Sequence, residues 1–203
     1  MFRPKSIKSL RDSRVRLILR RGQDIIGDMM TPFLDGALRW VYEGESPAVC
    51  PACGFDWSIN PADALNVIES SPGRFEDALA GKDGMKSQAD GSWNATAYLW
   101  HLTDLARSWA ERWVQISEMP GSRLVGWDPD ELAEVRDYRS LPTSAGLWAL
   151  RSSVATFVGV TAMVAPDTPF EHGDWGIGNV GDGLRWLAHE FHHHVGDVAA
   201  RAG

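Results

Sequence analysis

Apolar positions recur at three- and four-residue spacing through the second half of the chain. Between residues 94 and 118, Tyr98, Leu102, Leu105, Trp109, Trp113 and Ile116 share one helical face, with Asn94 placed as the N-cap. Residues 144–164 repeat the pattern with Leu147, Leu150, Val154, Phe157, Thr161 and Val164. Trp127-Asp128-Pro129 opens a short acidic helix reaching Tyr138, with Asp128 as cap and Pro129 at the first helical position. The run from Gly173 to Gly183 predicts a Gly-rich loop, after which Asp182 caps a last helix ending near Ala200. Nearer the start, residues 61–80 predict two short helices broken at Ser71-Pro72-Gly73. Residues 22–45 carry a helical apolar stripe interrupted by Pro32, and residues 46–60 and 81–92 predict loops. No strand pattern has comparable strength. The class is mainly α: a four-helix bundle over 61–203, a C-x-x-C loop over 46–60, and an N-terminal arm with an extra helical segment over 1–45.

Charge divides the chain in the same way. The net charge of −7 averages a +7 arm, residues 1–21, and a −14 remainder. An acidic body is a poor general binder of nucleic acid, so only the basic arm offers such a contact. No apolar run approaches the roughly 18–20 residues that span a bilayer, which predicts a protein that does not cross a membrane. The basic start lacks the apolar stretch and cleavage site of a secretory signal. The 2 cysteines, Cys50 and Cys53, are too few for a disulfide scaffold. Together these features predict a cytoplasmic protein.

Four of the 6 histidines crowd the last helix: His189, His192, His193 and His194. A metal held by one helix needs ligands at i and i+4, and two pairs qualify: His189 with His193, and Glu190 with His194. Setting Leu187 at 0° and advancing about 100° per residue, Leu184, Phe191, Val195 and Val198 cluster between about 20° and 80°. Glu190 and His194 border that stripe at about −60° and −20°, whereas His189 and His193 fall on the far side. Glu190 and His194 therefore look into the bundle, where a metal or a mutual hydrogen bond would compensate their burial. His101, mid-helix in Trp100-His101-Leu102-Thr103-Asp104, is the candidate third ligand. His189-Glu190-Phe191-His192-His193 also spells the H-E-x-x-H of zinc proteases, but the third histidine of the longer motif falls at Ala199. Asp104 and Asp197, each three residues from a proposed ligand, are candidates for supporting the site from behind.

Cys50-Pro51-Ala52-Cys53-Gly54 has the form of half a zinc knuckle, a turn that aims two sulfurs at one point. His189 and His193, left over on the far face, would complete a Cys₂His₂ structural zinc site if the 46–60 loop packs there. Reduced thiols, a labile disulfide or a redox pair are the other readings of the motif. Of the 10 tryptophans, Trp100, Trp109, Trp113, Trp148 and Trp186 are expected in the core or an interface, and Trp127 and Trp175 at the mouth of a pocket.

Trp93, Ala97-Tyr98-Leu99-Trp100-His101-Leu102-Thr103-Asp104, Trp127-Asp128 and the terminal His-Glu-x-x-His-His-x-Gly-Asp-Val together resemble the DinB/YfiT-like metalloproteins over roughly residues 60–200. Relatives in that family include mycothiol-dependent maleylpyruvate isomerase. The resemblance implies a four-helix bundle with a divalent metal at one end, held by His101, Glu190 and His194 with a fourth position open. Zn²⁺ suits such a set, and Ni²⁺ or Mn²⁺ also fit. The implied activity is a transferase or isomerase that brings a low-molecular-weight thiol to a small-molecule substrate. The alternatives are hydrolysis by metal-activated water and a non-enzymatic metal-binding or stress-response role. A homodimer through a helical face suits this kind of bundle.

Overall fold

The computed structural model describes residues 49–203, together with the backbone of two short strands, β1 (Thr31–Pro32) and β2 (Trp40–Val41). These two strands pair antiparallel. Their four residues are thus extended where an interrupted helical stripe was expected, and Pro32, which has no N–H to give, is one of them. The rest of the expected 22–45 helix, and the basic arm, lie outside the described residues.

Four long helices form the body: α1 (Pro61–Leu79), α2 (Ala95–Glu118), α4 (Thr143–Thr161) and α5 (Val180–Arg201). Between α2 and α4 come β3 (Arg123–Leu124), the short α3 (Pro129–Val135) and a 3₁₀ turn over Tyr138–Ser140. The hairpin β4 (Pro169–His172) and β5 (Gly176–Asn179) leads into α5. Helix α2 packs on α4 and α5, and α1 on α5 and α4. The caps follow the local chemistry. Asn94 Oδ1 accepts the Ala97 N–H at 2.9 Å, and Asp128 accepts from Asp130 and Glu131 above Pro129.

Three departures from the sequence reading have physical causes. Helix α1 runs unbroken through Pro72. Proline deprives the Ile68 carbonyl, four residues back, of its helical donor. The hydroxyl of Ser71 donates to that same carbonyl at 2.7 Å, and Ile68, Ser71, Pro72 and Phe75 are all buried. The last helix begins earlier than expected because Asn179, not Asp182, is its cap. Asn179 Oδ1 accepts the Asp182 N–H at 3.0 Å, and Asp182 Oδ2 accepts the Asn179 N–H at 3.1 Å, a reciprocal capping box. The Gly-rich stretch is partly strand. In a three-stranded sheet of order β3-β4-β5, β3 runs parallel to β4, and β4 pairs antiparallel with β5, Phe170 facing Gly178.

Gly181 and Gly183, at the end of that stretch, serve close packing. A Cβ on Gly183 would sit 2.6 Å from Trp113 Cη2, and one on Gly181 would sit 3.1 Å from Pro61 Cγ. Trp109 meets Trp186 with ring centroids 5.8 Å apart, and His101 meets His194 at 5.5 Å. The three pairings, 113 with 183, 109 with 186 and 101 with 194, show α2 and α5 running antiparallel. His101 lies eight residues before Trp109, about 12 Å along the helix axis. The aromatic core and sheet therefore occupy one end of the bundle, and His101 with the α5 histidines the other.

Trp109, Trp113, Phe157 and Phe170 are fully buried, and Trp100 and Trp186 nearly so, whereas Trp148 is 73% exposed on the outer side of α4. Trp175 stacks on His172 at 3.8 Å and packs on Trp186, placing it in the aromatic end and not at the mouth expected for it.

Two stability outcomes follow. Ser71→Ala should cost about 1 kcal/mol in urea denaturation, and the cost should shrink in a Pro72→Ala background, where the restored N–H takes the Ile68 carbonyl. Gly183→Ala should cost about 1–3 kcal/mol, since a rigid indole blocks the new methyl.

Candidate metal centre

Helix α5 carries six ionisable side chains within nine residues, His189 to Asp197, on two sides of its apolar stripe. His101, from the second turn of α2, is 6% exposed and faces the first of these sides. One donor atom each from His101, Glu190 and His194 lies within 4.8 Å of the other two. Glu190 and His194 are four residues apart on the helix, and Glu190 Oε2 lies 3.4 Å from His194 Nε2. His194 Nδ1 donates to Asp197 Oδ2 at 2.8 Å, and Arg201 holds the other oxygen of Asp197 at 3.0 Å. The arrangement fixes the imidazole ring and turns its Nε2 toward Glu190 and His101. His101 Nδ1 is buried without a hydrogen-bond partner. A buried unpaired imidazole nitrogen beside a carboxylate is what a cation satisfies.

The titration tendencies match this arrangement. Burial, together with the neighbouring His194, pushes His101 down to about 3, so it is a neutral donor. Burial alone would raise the Glu190 carboxyl, but His189 and His194 on either side hold it well below the usual carboxylate range. His194 moves up to about 9, because its hydrogen bonds to Asp197 and Glu190 outweigh burial. An aromatic wall surrounds the group. The Trp93 ring is 5.3 Å from His101, Tyr98 is 4.9 Å from His194, and Trp127 is 6.2 Å from His101. Periodicity marked Tyr98 as core and left Trp93 unassigned; their place at the site depends on how α2 meets α5.

The alternative pair faces the other way. His189 is 3% exposed although it lies opposite the apolar stripe, because the segment after Val49 covers that side of α5. The Trp57 ring lies 4.5 Å from His189, and Arg185 Nε donates to the Ile59 carbonyl at 2.8 Å. Cys50, Cys53, His189 and His193 form a second group, again with one donor atom from each within 4.8 Å of the others. Cys50 and Cys53 are not disulfide-bonded. Burial pushes the Cys53 thiol up to about 11, aided by the adjacent Cys50.

The two aspartates part company. Asp197 touches His194 directly and also lies 3.6 Å from His193 Nε2. Asp104 is turned elsewhere: Arg136 Nη1 donates to its Oδ1 at 2.5 Å, and the buried Tyr138 hydroxyl donates to its Oδ2. Arg107 adds a second positive charge at 3.6 Å. Asp104 thus ties the 3₁₀ turn and α3 to α2, which keeps the segment carrying Trp127 over the site. Arg136 and Tyr138 escaped the sequence reading because no local pattern links them to a residue more than thirty positions away.

The DinB superfamily model matches residues 19–198. The chain belongs to the DinB superfamily. Its match covers α1, α2 and α4, α5 as far as Val198, and both groups of candidate ligands. No curated protein sequence matches the chain. Among solved structures, the chain is similar to YfiT from Bacillus subtilis, described as a probable metal-dependent hydrolase with an unusual four-helix bundle topology. The TM-score is 0.60 at 18% identity, covering 70% of this chain and 86% of the other. At that identity the likeness establishes the shared fold, which is the four-helix bundle expected from the sequence. No helix of the described residues is long and apolar enough to cross a membrane.

Tyr138→Phe should lower stability by about 1–3 kcal/mol, by leaving Asp104 short of a buried donor, while leaving metal content unchanged. Asp197→Asn should instead weaken metal affinity by about 10–100-fold, read by competition with a chelator.

Proposed function

We propose that this DinB-superfamily protein is a zinc-dependent enzyme of the cytoplasm, in which His101, Glu190 and His194 hold the ion. The single observation that carries this reading is the convergence of two imidazoles and a carboxylate, from α2 and α5, with a buried His101 nitrogen lacking any other partner. Three nitrogen and oxygen donors suit an ion that keeps a position for substrate, whereas structural zinc sites close with four protein ligands.

We infer that the reaction transfers a low-molecular-weight thiol to an electrophile, or isomerises an electrophile through such a thiol. Both cysteines of the chain are grouped with His189 and His193, on the other side of α5, so the thiol comes from the substrate side. When bound, the ion would supply Lewis-acid charge that favours the thiolate of a coordinated thiol. The chain's own groups do the rest. Asp197 holds the His194 tautomer through Nδ1 and leaves Nε2 for the ion. Glu190 supplies negative charge between two imidazoles. Trp93, Tyr98 and Trp127 line the His101 side with aromatic surface that displaces water and suits an organic small molecule.

The second reading is hydrolysis by metal-activated water, favoured by the fold shared with YfiT. Protein prepared without a polyhistidine tag and reconstituted with Zn²⁺, Ni²⁺ or Mn²⁺ separates the two. Turnover of an electrophile only when a small thiol is added supports the first; thiol-independent ester or amide cleavage supports hydrolysis. Stoichiometric metal with neither activity returns the protein to a non-enzymatic binding role.

His101→Ala and His194→Ala should each abolish binding of this ion, measured by elemental analysis, with loss of turnover. Full metal content in both variants would overturn the site. The same loss is expected for Glu190→Ala.

A further inference from the structure

The group on the opposite side of α5 has a different chemistry. The hairpin after Val49 is built around Cys50-Pro51-Ala52-Cys53-Gly54. The Cys50 N–H donates to the Phe55 carbonyl at 2.7 Å, and the Gly54 N–H donates to the Cys50 carbonyl at 2.8 Å. Val49 and Asp56 close the hairpin with a bridge. Gly54 has a φ of 74°, a left-handed conformation that a residue with Cβ rarely adopts. The turn brings both sulfurs to one place, over the His189–His193 face of α5.

We propose that Cys50, Cys53, His189 and His193 bind a second zinc ion in a closed, structural site that pins this hairpin to α5. His189 Nε2 lies 3.4 Å from Cys50 Sγ. Sulfur and nitrogen on a tetrahedral zinc, at bond lengths of about 2.3 and 2.05 Å, are about 3.6 Å apart, so this edge already has the required length. His193 Nδ1 is buried with no hydrogen-bond partner, while its Nε2 lies 3.6 Å from Asp197. His189 Nδ1 lies 3.5 Å from Glu190 Oε1. Each imidazole thus has a carboxylate behind one nitrogen and its other nitrogen free for a metal, as metal-bound histidines generally do. Two thiolates and two neutral imidazoles form a complete tetrahedral set with no position left for substrate. His192 adds a clamp, its Nε2 lying 3.0 Å from the Cys53 carbonyl. The phenyl ring of Phe55, 3% exposed, closes the hairpin's inner side against His189.

The site shares no donor residue with the proposed reaction centre, and cobalt(II) loading of the untagged full chain tests the two separately. Wild-type protein should take up two equivalents and show an intense near-ultraviolet thiolate-to-cobalt band. Cys50→Ser with Cys53→Ser should abolish that band and halve the bound metal. His101→Ala should also halve the metal but keep the band, which separates failure of one site from failure of the other. Where the double cysteine variant does not fold, wild-type protein still decides. In the zinc-loaded form both thiols should resist alkylation until a chelator is added. A cobalt-loaded wild-type protein without a thiolate band, or thiols alkylated equally fast with and without zinc, would overturn the proposal.

Discussion

The register of α2 against α5 is the constraint on which the rest of the molecule depends. Gly183 has no Cβ, so the edge of the Trp113 indole can lie where a side chain would otherwise stand. From that contact two antiparallel helices carry the pairing along the bundle, through Trp109 with Trp186, to His101 with His194. A slip of one residue would turn a candidate ligand by about 100° around its helix and part His101 from Glu190 and His194. The buried aromatic end is thus a positioning device for the polar end, and its close packing is what resists such a slip.

At the polar end the governing rule is that buried ionisable groups need partners. Helix α5 meets it with interlocked pairs at three- and four-residue spacing. Glu190 lies between His189 and His194, and Asp197 between His193 and His194, with Arg201 behind it. The two carboxylates therefore join the donor groups on the two sides of the helix. Asp197 occupies Nδ1 of His194 and Glu190 lies against Nδ1 of His189, so each of these imidazoles turns its Nε2 toward its own donor group. The charges on one side of α5 are set partly by the groups on the other, so the hairpin carrying Cys50 and Cys53 is coupled to the His101 side through Glu190 and Asp197.

Much of this was legible along the chain. Asn94 and Asp128 announce helix starts because capping is a contact over two or three residues. The separation of Glu190 and His194 from His189 and His193 follows from a 100° advance per residue. The reading erred where one local signal competed with another. Ser71-Pro72-Gly73 looks like a break until the Ser71 hydroxyl is seen to serve the carbonyl that Pro72 leaves open. Asp182 looks like a cap, and is the other half of the box that Asn179 forms.

The sequence by itself placed the helices around residues 94–118, 144–164 and 182–200, their apolar faces and the α5 residues that pair at i and i+4, because these are properties of one short stretch of backbone. Only the tertiary structure decided that Tyr138 and Arg136 claim Asp104, that Trp175 joins the aromatic end, and that the Cys50–Cys53 hairpin covers His189. Those contacts join elements far apart in the chain. They follow from how closely two surfaces approach, which depends on shape at positions such as Gly183 and leaves no periodic mark in the sequence.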